Sequence, residues 1–262
     1  MSRSWSSAWS ARRRYRVHLA ADALMACEVQ VQRGTRRVVR KERFAFAAGE
    51  RAAALQSLRE WMGAGGWRAS QEWVLGVSDA RYLLLQWTPD LADRKLREAF
   101  AAALFEQQFK QDPGAYAMRF AKSAYGRAQL VAFVSNELLA ELAVHAQTSA
   151  IRLASVAPSV SAVWDRFRSV LEKESGALCV IDGDRQVVLH HAQGDVEAVA
   201  LRPFDAARIE AVPAMRAGED RWRLFSSTSM RGGAGGGLSL ADGEGFLTAR
   251  DTAYAFALCG VF

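Results

Sequence analysis

The sequence predicts an α/β fold made of two lobes, each built on a mixed sheet. Segments with the alternating polarity of strands are interleaved with segments of helical periodicity. The pattern restarts near Glu174–Gly176, where a second run of strands joined by tight turns begins. The chain has 262 residues, of which 50% are hydrophobic, and this is enough for two lobes with real cores.

The first predicted lobe covers residues 15–174 and opens with paired strands. Residues 15–32 and 36–46 alternate apolar and polar side chains on either side of a turn at Arg33–Thr35. A helix is predicted over 50–62, where leucines and a methionine recur at helical spacing. Two strands, EWVLGV and RYLLLQW, follow the glycine-rich segment that ends this helix.

A helix and a hairpin are predicted as an insertion in this lobe. Pro89 introduces an amphipathic helix over roughly 90–110, and the next segment forms a hairpin that turns at Ala124–Arg127. A helix over about 136–147, a strand with the sequence IRLASVA and a helix opened by Pro158 complete the lobe.

The second predicted lobe covers residues 175–262 and repeats the opening. Its first three strands, ALCVIDG, RQVVLHHA and VEAVALR, are separated by GD turns. A short helix around 206–211, a strand RWRLFSS, a glycine-rich run and a closing helix RDTAYAFALCGVF follow. Residues 1–14, rich in Ser and Arg, are predicted to form a flexible basic tail.

The net charge of +6 is unevenly distributed. Residues 1–60 contain thirteen Lys and Arg against five Asp and Glu, with clusters at 12–14 and 36–43. Such a basic end suits nucleic acid, anionic lipid headgroups or an acidic partner. A solvated basic face is the alternative interpretation.

Cysteine usage and hydropathy favour the cytoplasm. Cys27, Cys179 and Cys259 are widely spaced in apolar stretches, which is typical of buried thiols in a reducing compartment. No apolar run approaches the roughly 20 residues that a membrane-spanning helix needs. His190 and His191 would point to opposite faces of a strand, so no metal site is predicted.

The layout resembles the actin-like ATPase fold, a duplicated ribonuclease-H-like unit. Within it, the nearest resemblance is to PilM-like proteins of type IV pili and to the cytoplasmic part of GspL-like secretion proteins. Residues 82–166 carry most of this likeness, with a strand running through Pro89 into an amphipathic helix that bears Glu98 and Glu106, and then a hairpin. The closing AYAFALCGVF looks like the small-residue helix that ends such proteins.

ATP-binding members of this family begin with a strand of the form GIDIGSSSVKLLEL, which matches RVHLAADALMACEV at Arg16–Val29. His18 then stands at the aspartate of the motif and Ala20 at its second glycine. Backbone amides hold phosphates where glycine lets the chain come close, and a carboxylate holds Mg²⁺. The first phosphate motif has therefore lost both features.

The second phosphate motif of the family falls on VIDG at Val180–Gly183. Gly183 is retained, but the acid is displaced by one place to Asp182, which in a strand would move it to the opposite face. Gly232 and Gly233 match the glycine pair that passes under the adenosine, or else belong to a flexible linker. These four residues form the predicted degenerate nucleotide site, for which no cofactor is predicted and Mg-ATP is the alternative.

The predicted tail contains a second candidate site. Trp5 and Trp9 lie four residues apart beside Arg12, Arg13 and Arg14, a combination that suits docking on a membrane surface or on a partner. The alternative interpretation is that these residues belong to a tail without a docking function.

The resemblance implies a cytoplasmic scaffold of a type IV pilus or type II-like secretion platform. Such a protein would bind segments of inner-membrane partners, associate with the membrane through them, recruit the assembly ATPase, and not hydrolyse ATP. One alternative is an active actin-like ATPase or phosphotransferase. The other is a nucleic-acid-binding protein or a ribonuclease-H-like nuclease, which would use the carboxylates of Asp22, Glu28, Asp182 and Asp184 to hold two metals.

Overall fold

A computed structural model describes residues 12–47, 50–63, 69–204, 222–227 and 236–262. Its strands are β1 (Arg12–Leu19), β2 (Ala23–Gln32), β3 (Thr35–Ala45), β4 (Ser70–Leu75), β5 (Ala80–Leu85), β6 (Tyr116–Phe120), β7 (Gln129–Ser135), β8 (Arg152–Pro158), β9 (Ser175–Asp182), β10 (Arg185–Ala192), β11 (Asp195–Pro203), β12 (Trp222–Ser226) and β13 (Gly236–Gly237). Its helices are α1 (Arg51–Met62), α2 (Arg94–Phe109), α3 (Asn136–Thr148), α4 (Ser159–Leu171) and α5 (Ala255–Leu258).

Two five-stranded sheets share one topology. The first has the order β3-β2-β1-β4-β8 and the second the order β11-β10-β9-β12-β13. In each, three strands form an antiparallel meander, and two further strands run parallel to its first strand. The predicted α/β class with mixed sheets is therefore confirmed, and the restart in the sequence corresponds to a second copy of the first topology.

A third sheet, of order β5-β7-β6, forms the insertion. Helix α2 covers one of its faces, where Phe105 and Phe133 are fully buried in a small core of their own. The helix starts at Arg94, later than predicted, because Pro89–Ala92 forms a 3-10 turn and Asp93 accepts a capping hydrogen bond from the backbone of Leu96. The predicted hairpin is present as β6 and β7.

The C-terminal segment, 238–262, which the sequence assigns to the second lobe, contacts both large sheets. Helix α5 packs against β1, β2 and β4. Nε and Nη2 of Arg16 donate hydrogen bonds to the carbonyls of Ala257 and Cys259 at 2.8 and 2.7 Å. The closing helix that the sequence predicts is only four residues long, and the Arg16 guanidinium satisfies two carbonyls at its C-terminal end.

The predicted tail, residues 1–14, overlaps the first strand. Arg12, Arg13 and Arg14 are the first residues of β1, where they pair in register with residues 29–31 of β2. Trp5 and Trp9 lie outside the described residues, as do Gly232, Gly233 and the predicted helix at 206–211. In the described part of the chain, no helix has both the length and the apolar character needed to cross a bilayer.

Native thiol labelling is expected to fail at all three cysteines. They are free and buried, as predicted. Burial raises the pKa of Cys179 and of Cys259 to about 12, and it raises the pKa of Cys27 as well. Since the thiolate is the reactive form, a maleimide should modify the folded protein negligibly and the denatured protein three times per chain, counted by mass spectrometry. Rapid labelling of the folded protein would contradict this packing.

Candidate functional site

The two segments that resemble phosphate motifs meet between the two large sheets. Nε2 of His18, near the end of β1, lies 3.2 Å from Oδ2 of Asp182, at the end of β9. The side chains of this pair are 0% and 4% exposed, so the contact is sealed from solvent. Asp182 lies on the same face of β9 as Val180, which packs in the central core, whereas Ile181 packs on the opposite face. The displaced acid therefore faces the first lobe.

Asp182 accepts a second hydrogen bond from the first lobe. The backbone N–H of Val77, just after β4, donates to Oδ2 at 3.3 Å. Gly76 permits this approach: a Cβ at this position would lie 2.6 Å from the carbonyl oxygen of Leu19 and 2.9 Å from Oδ2 of Asp182. Sequence reasoning missed Gly76, although a glycine directly after a buried strand signals close backbone approach.

Asp79 is a third titratable group at this site. It is half-buried in the 3-10 turn Val77–Asp79. Burial raises the pKa of the Asp79 carboxyl; Arg51 opposes that shift, and the charge of Asp182 adds to it. Sequence reasoning missed this residue too, because nothing in a lone SDA turn marks a cleft.

The backbone conformation of the turn after Asp182 explains why a glycine stands there. Gly183 has φ +61°, a left-handed value that glycine adopts without strain. It faces the bend of the first motif, where the Cβ of Ala21 lies 3.9 Å from the position a Cβ on Gly183 would take. Asp184 points outward with its side chain 76% exposed, beside Arg185. The structure thus brings together the two motifs but not Asp184.

The four acids of the nuclease hypothesis are not gathered. Asp22 is exposed and pairs with Arg43 at 2.9 Å, and Glu28 pairs with Arg40 at 2.6 Å. Within the described ranges, no group of three or more His, Cys, Asp or Glu is placed to hold a metal ion. The arrangement therefore gives no support to a two-metal centre.

The basic run of β3 is largely paired with acids. Arg37 contacts Glu244 at 3.1 Å, and Lys41 contacts Asp251 at 2.6 Å. Both acids belong to the C-terminal segment, so this edge of the first sheet holds that segment in place. Local pairing of this kind leaves little open positive field for nucleic acid.

An apolar groove separates the insertion from the first sheet. It has a volume of about 320 Å³ and lies between the free face of the β5-β7-β6 sheet and β8 with α3. Apolar side chains dominate its lining, with Leu130, Leu139, Val156 and Pro158 among them. Among the described residues, β6 and β8 are the last strands of their sheets, so the backbone groups on their outer edges are available for pairing.

Comparison with solved structures establishes the fold. The cytoplasmic domain of EpsL, an inner-membrane component of the type II secretion system of Vibrio cholerae, is similar with a TM-score of 0.59, at 16% identity over 94% of each chain. A protein of Bacteroides thetaiotaomicron with an actin-like ATPase fold has a TM-score of 0.56, at 6% identity over 84% of this chain and 83% of that one. A PilM–PilN type IV pilus biogenesis complex has a TM-score of 0.51 at 15% identity, and the match covers 71% of this chain but only 60% of that one. No family model and no curated protein matches.

Proposed function

We propose that this chain, which has the actin-like ATPase fold, is a scaffold of a type II secretion or type IV pilus assembly platform and works without hydrolysing ATP. The likeness to the EpsL cytoplasmic domain over nearly the whole chain supports the type of machine. By the same likeness, the chain acts on the cytoplasmic side of the inner membrane and reaches that membrane through partners.

The closed His18–Asp182 contact is the observation that carries this proposal. A triphosphate needs free donors and a carboxylate that holds its metal ion. Here the imidazole of His18 and the amide of Val77 already donate to Asp182. A phosphate placed at this point would meet a buried negative charge and displace both hydrogen bonds.

The apolar groove is the proposed binding site for the membrane partner. An extended segment can place apolar side chains between Leu130 and Leu139 while its backbone pairs with a free strand edge. The similarity to a PilM–PilN type IV pilus biogenesis complex supports a protein partner.

Cross-linked capture from native cells tests the partner proposal. Leu139→Arg should reduce recovery of the inner-membrane assembly component by about tenfold, because it places a charge in the groove. Val144→Arg is the matched control, since Val144 is 57% exposed on the same helix and does not line the groove. Equal recovery with both variants would reject the groove, and the absence of any pilus or secretion component in the wild-type capture would reject the platform.

Calorimetry with Mg-ATP tests the nucleotide proposal. We expect no binding heat for the wild-type chain at millimolar ATP. The alternative function, an active ATPase or phosphotransferase, would instead give binding that Asp182→Ala abolishes.

A further inference from the structure

We propose that the carboxylate of Asp182 occupies a site that could otherwise take a small oxyanion of the phosphate class, and that it thereby joins the two lobes. This site, formed by His18 and the backbone N–H of Val77, is called the latent site. The inference concerns the same site as the proposed nucleotide independence, but it requires no secretion partner. It extends that proposal by naming what holds the lobes together in place of a nucleotide.

Asp182 connects the two lobes through one oxygen atom. Asp182 ends β9 of the second sheet, yet both hydrogen bonds to its Oδ2 come from the first lobe. One donor, His18, lies on β1, and the other, Val77, lies in the turn after β4. A single buried oxygen therefore links the ends of three strands that belong to two sheets.

The imidazole of His18 is oriented by a single polar contact. Its Nδ1 is buried and has no hydrogen-bond partner in the described structure, while Nε2 faces Asp182. We therefore assign the proton to Nε2, which donates to the carboxylate and leaves Nδ1 as a bare acceptor. The ring of Phe256 lies 4.7 Å away, centroid to centroid, and packs against the imidazole. The one N–H of this imidazole is therefore directed at the carboxylate of Asp182.

Two carboxylates converge on this point. Oδ2 of Asp182 and Oδ2 of Asp79 lie 2.9 and 3.2 Å from the position that a Cβ on Gly76 would take. With Asp182 in place, an incoming oxyanion meets both carboxylates at short range. With the Asp182 side chain removed, the same point offers two unused donors, the space of the removed carboxylate and one acid fewer. The latent site therefore takes a small oxyanion only when Asp182 is gone.

Chemical rescue of Asp182→Ala tests the inference. Asp184→Ala is the matched control, because it removes the same group two residues away from an exposed position. We expect the Asp182 variant to unfold several degrees below the wild type and the Asp184 variant to match the wild type. Sodium phosphate, compared with sodium chloride at equal ionic strength, should raise the melting temperature of Asp182→Ala alone. Equal melting temperatures for the two variants, or equal stabilisation of the wild type by phosphate, would overturn the inference.

Asp182→Asn keeps the test decisive if the alanine variant does not fold. Its amide oxygen still accepts from His18 and Val77, so it should fold, with a melting temperature below that of the wild type and no response to phosphate. If Asp182→Asn were more stable than the wild type, the carboxylate would destabilise the fold instead of joining the lobes, and the inference would be overturned. Binding of Mg-ATP by the wild type would refute nucleotide independence alone, so the two proposals can fail separately.

Discussion

Replacing Arg16 by methionine is expected to lower the free energy of unfolding by about 3 to 4 kcal/mol and to release the C-terminal segment. The guanidinium of Arg16 binds Glu72 at 2.7 Å and the carbonyls of Ala257 and Cys259. Burial lowers the pKa of Arg16, and Glu72 opposes that shift, so the group is charged at neutral pH. Removal leaves a half-buried carboxylate and two carbonyls without their main donor, and methionine replaces only the apolar stem.

Denaturant unfolding and hydrogen exchange measure this effect. Exchange should accelerate most at residues 255–261, which the guanidinium holds against β1. Arg12→Met is the control, because Arg12 is exposed on the same strand and has no ion pair among the described residues. If Arg16→Met were as stable as Arg12→Met, the C-terminal segment would have to be held by its other contacts, namely apolar packing and the ion pairs of Arg37 and Lys41.

Phe105→Ala is expected to cost about 3 to 5 kcal/mol within the insertion. The ring of Phe105 is fully buried and lies 4.3 Å from that of Phe133 and 4.8 Å from that of Tyr116, centroid to centroid. The small core around it contains only six fully buried hydrophobic residues in the described structure, so little remains to repack the cavity. The insertion should therefore lose its order before the two large sheets do.

Hydrogen exchange resolved by segment measures that loss. Protection should fall over β5, β6 and β7 and persist over β1 and β9. Phe100→Ala serves as the control, since Phe100 is 45% exposed on the same helix. A uniform loss of protection along the chain would contradict an insertion with a separate core.

Local patterns predict the elements well but not their long-range partners. The short apolar runs in ALCVIDG and RQVVLHHA, bounded by GD turns, identify β9 and β10, which are buried on both faces. The contact between His18 and Asp182 spans 164 positions, and no local signal reports it. The resemblance assigns the two residues to two different phosphate motifs, and it carries no information on the contact between them.

Predictions from the sequence are wrong where a polar group has its partner far away in the chain. The basic run of β3 suggests an external anionic partner, but Glu244 and Asp251 from the far end of the chain neutralise part of it. The arginines at 12–14 suggest a flexible tail in the sequence, but in the structure they pair with β2. Gly76 is informative only once Leu19 and Asp182 are seen around it. In each case the deciding neighbour is distant in sequence.

The central claim is that the carboxylate of Asp182, and not a nucleotide, joins the two lobes. The distance between the lobes tests this claim most directly. Spin labels at Ser57→Cys, on α1, and Arg202→Cys, on β11, lie at exposed positions, and the native thiols are buried. Pulsed electron spin resonance should give one narrow distance distribution that Mg-ATP leaves unchanged, and Asp182→Ala should broaden it. A distribution that shifts when Mg-ATP is added to the wild type, or that is already as broad in the wild type as in Asp182→Ala, would contradict a scaffold whose lobes are joined by its own carboxylate.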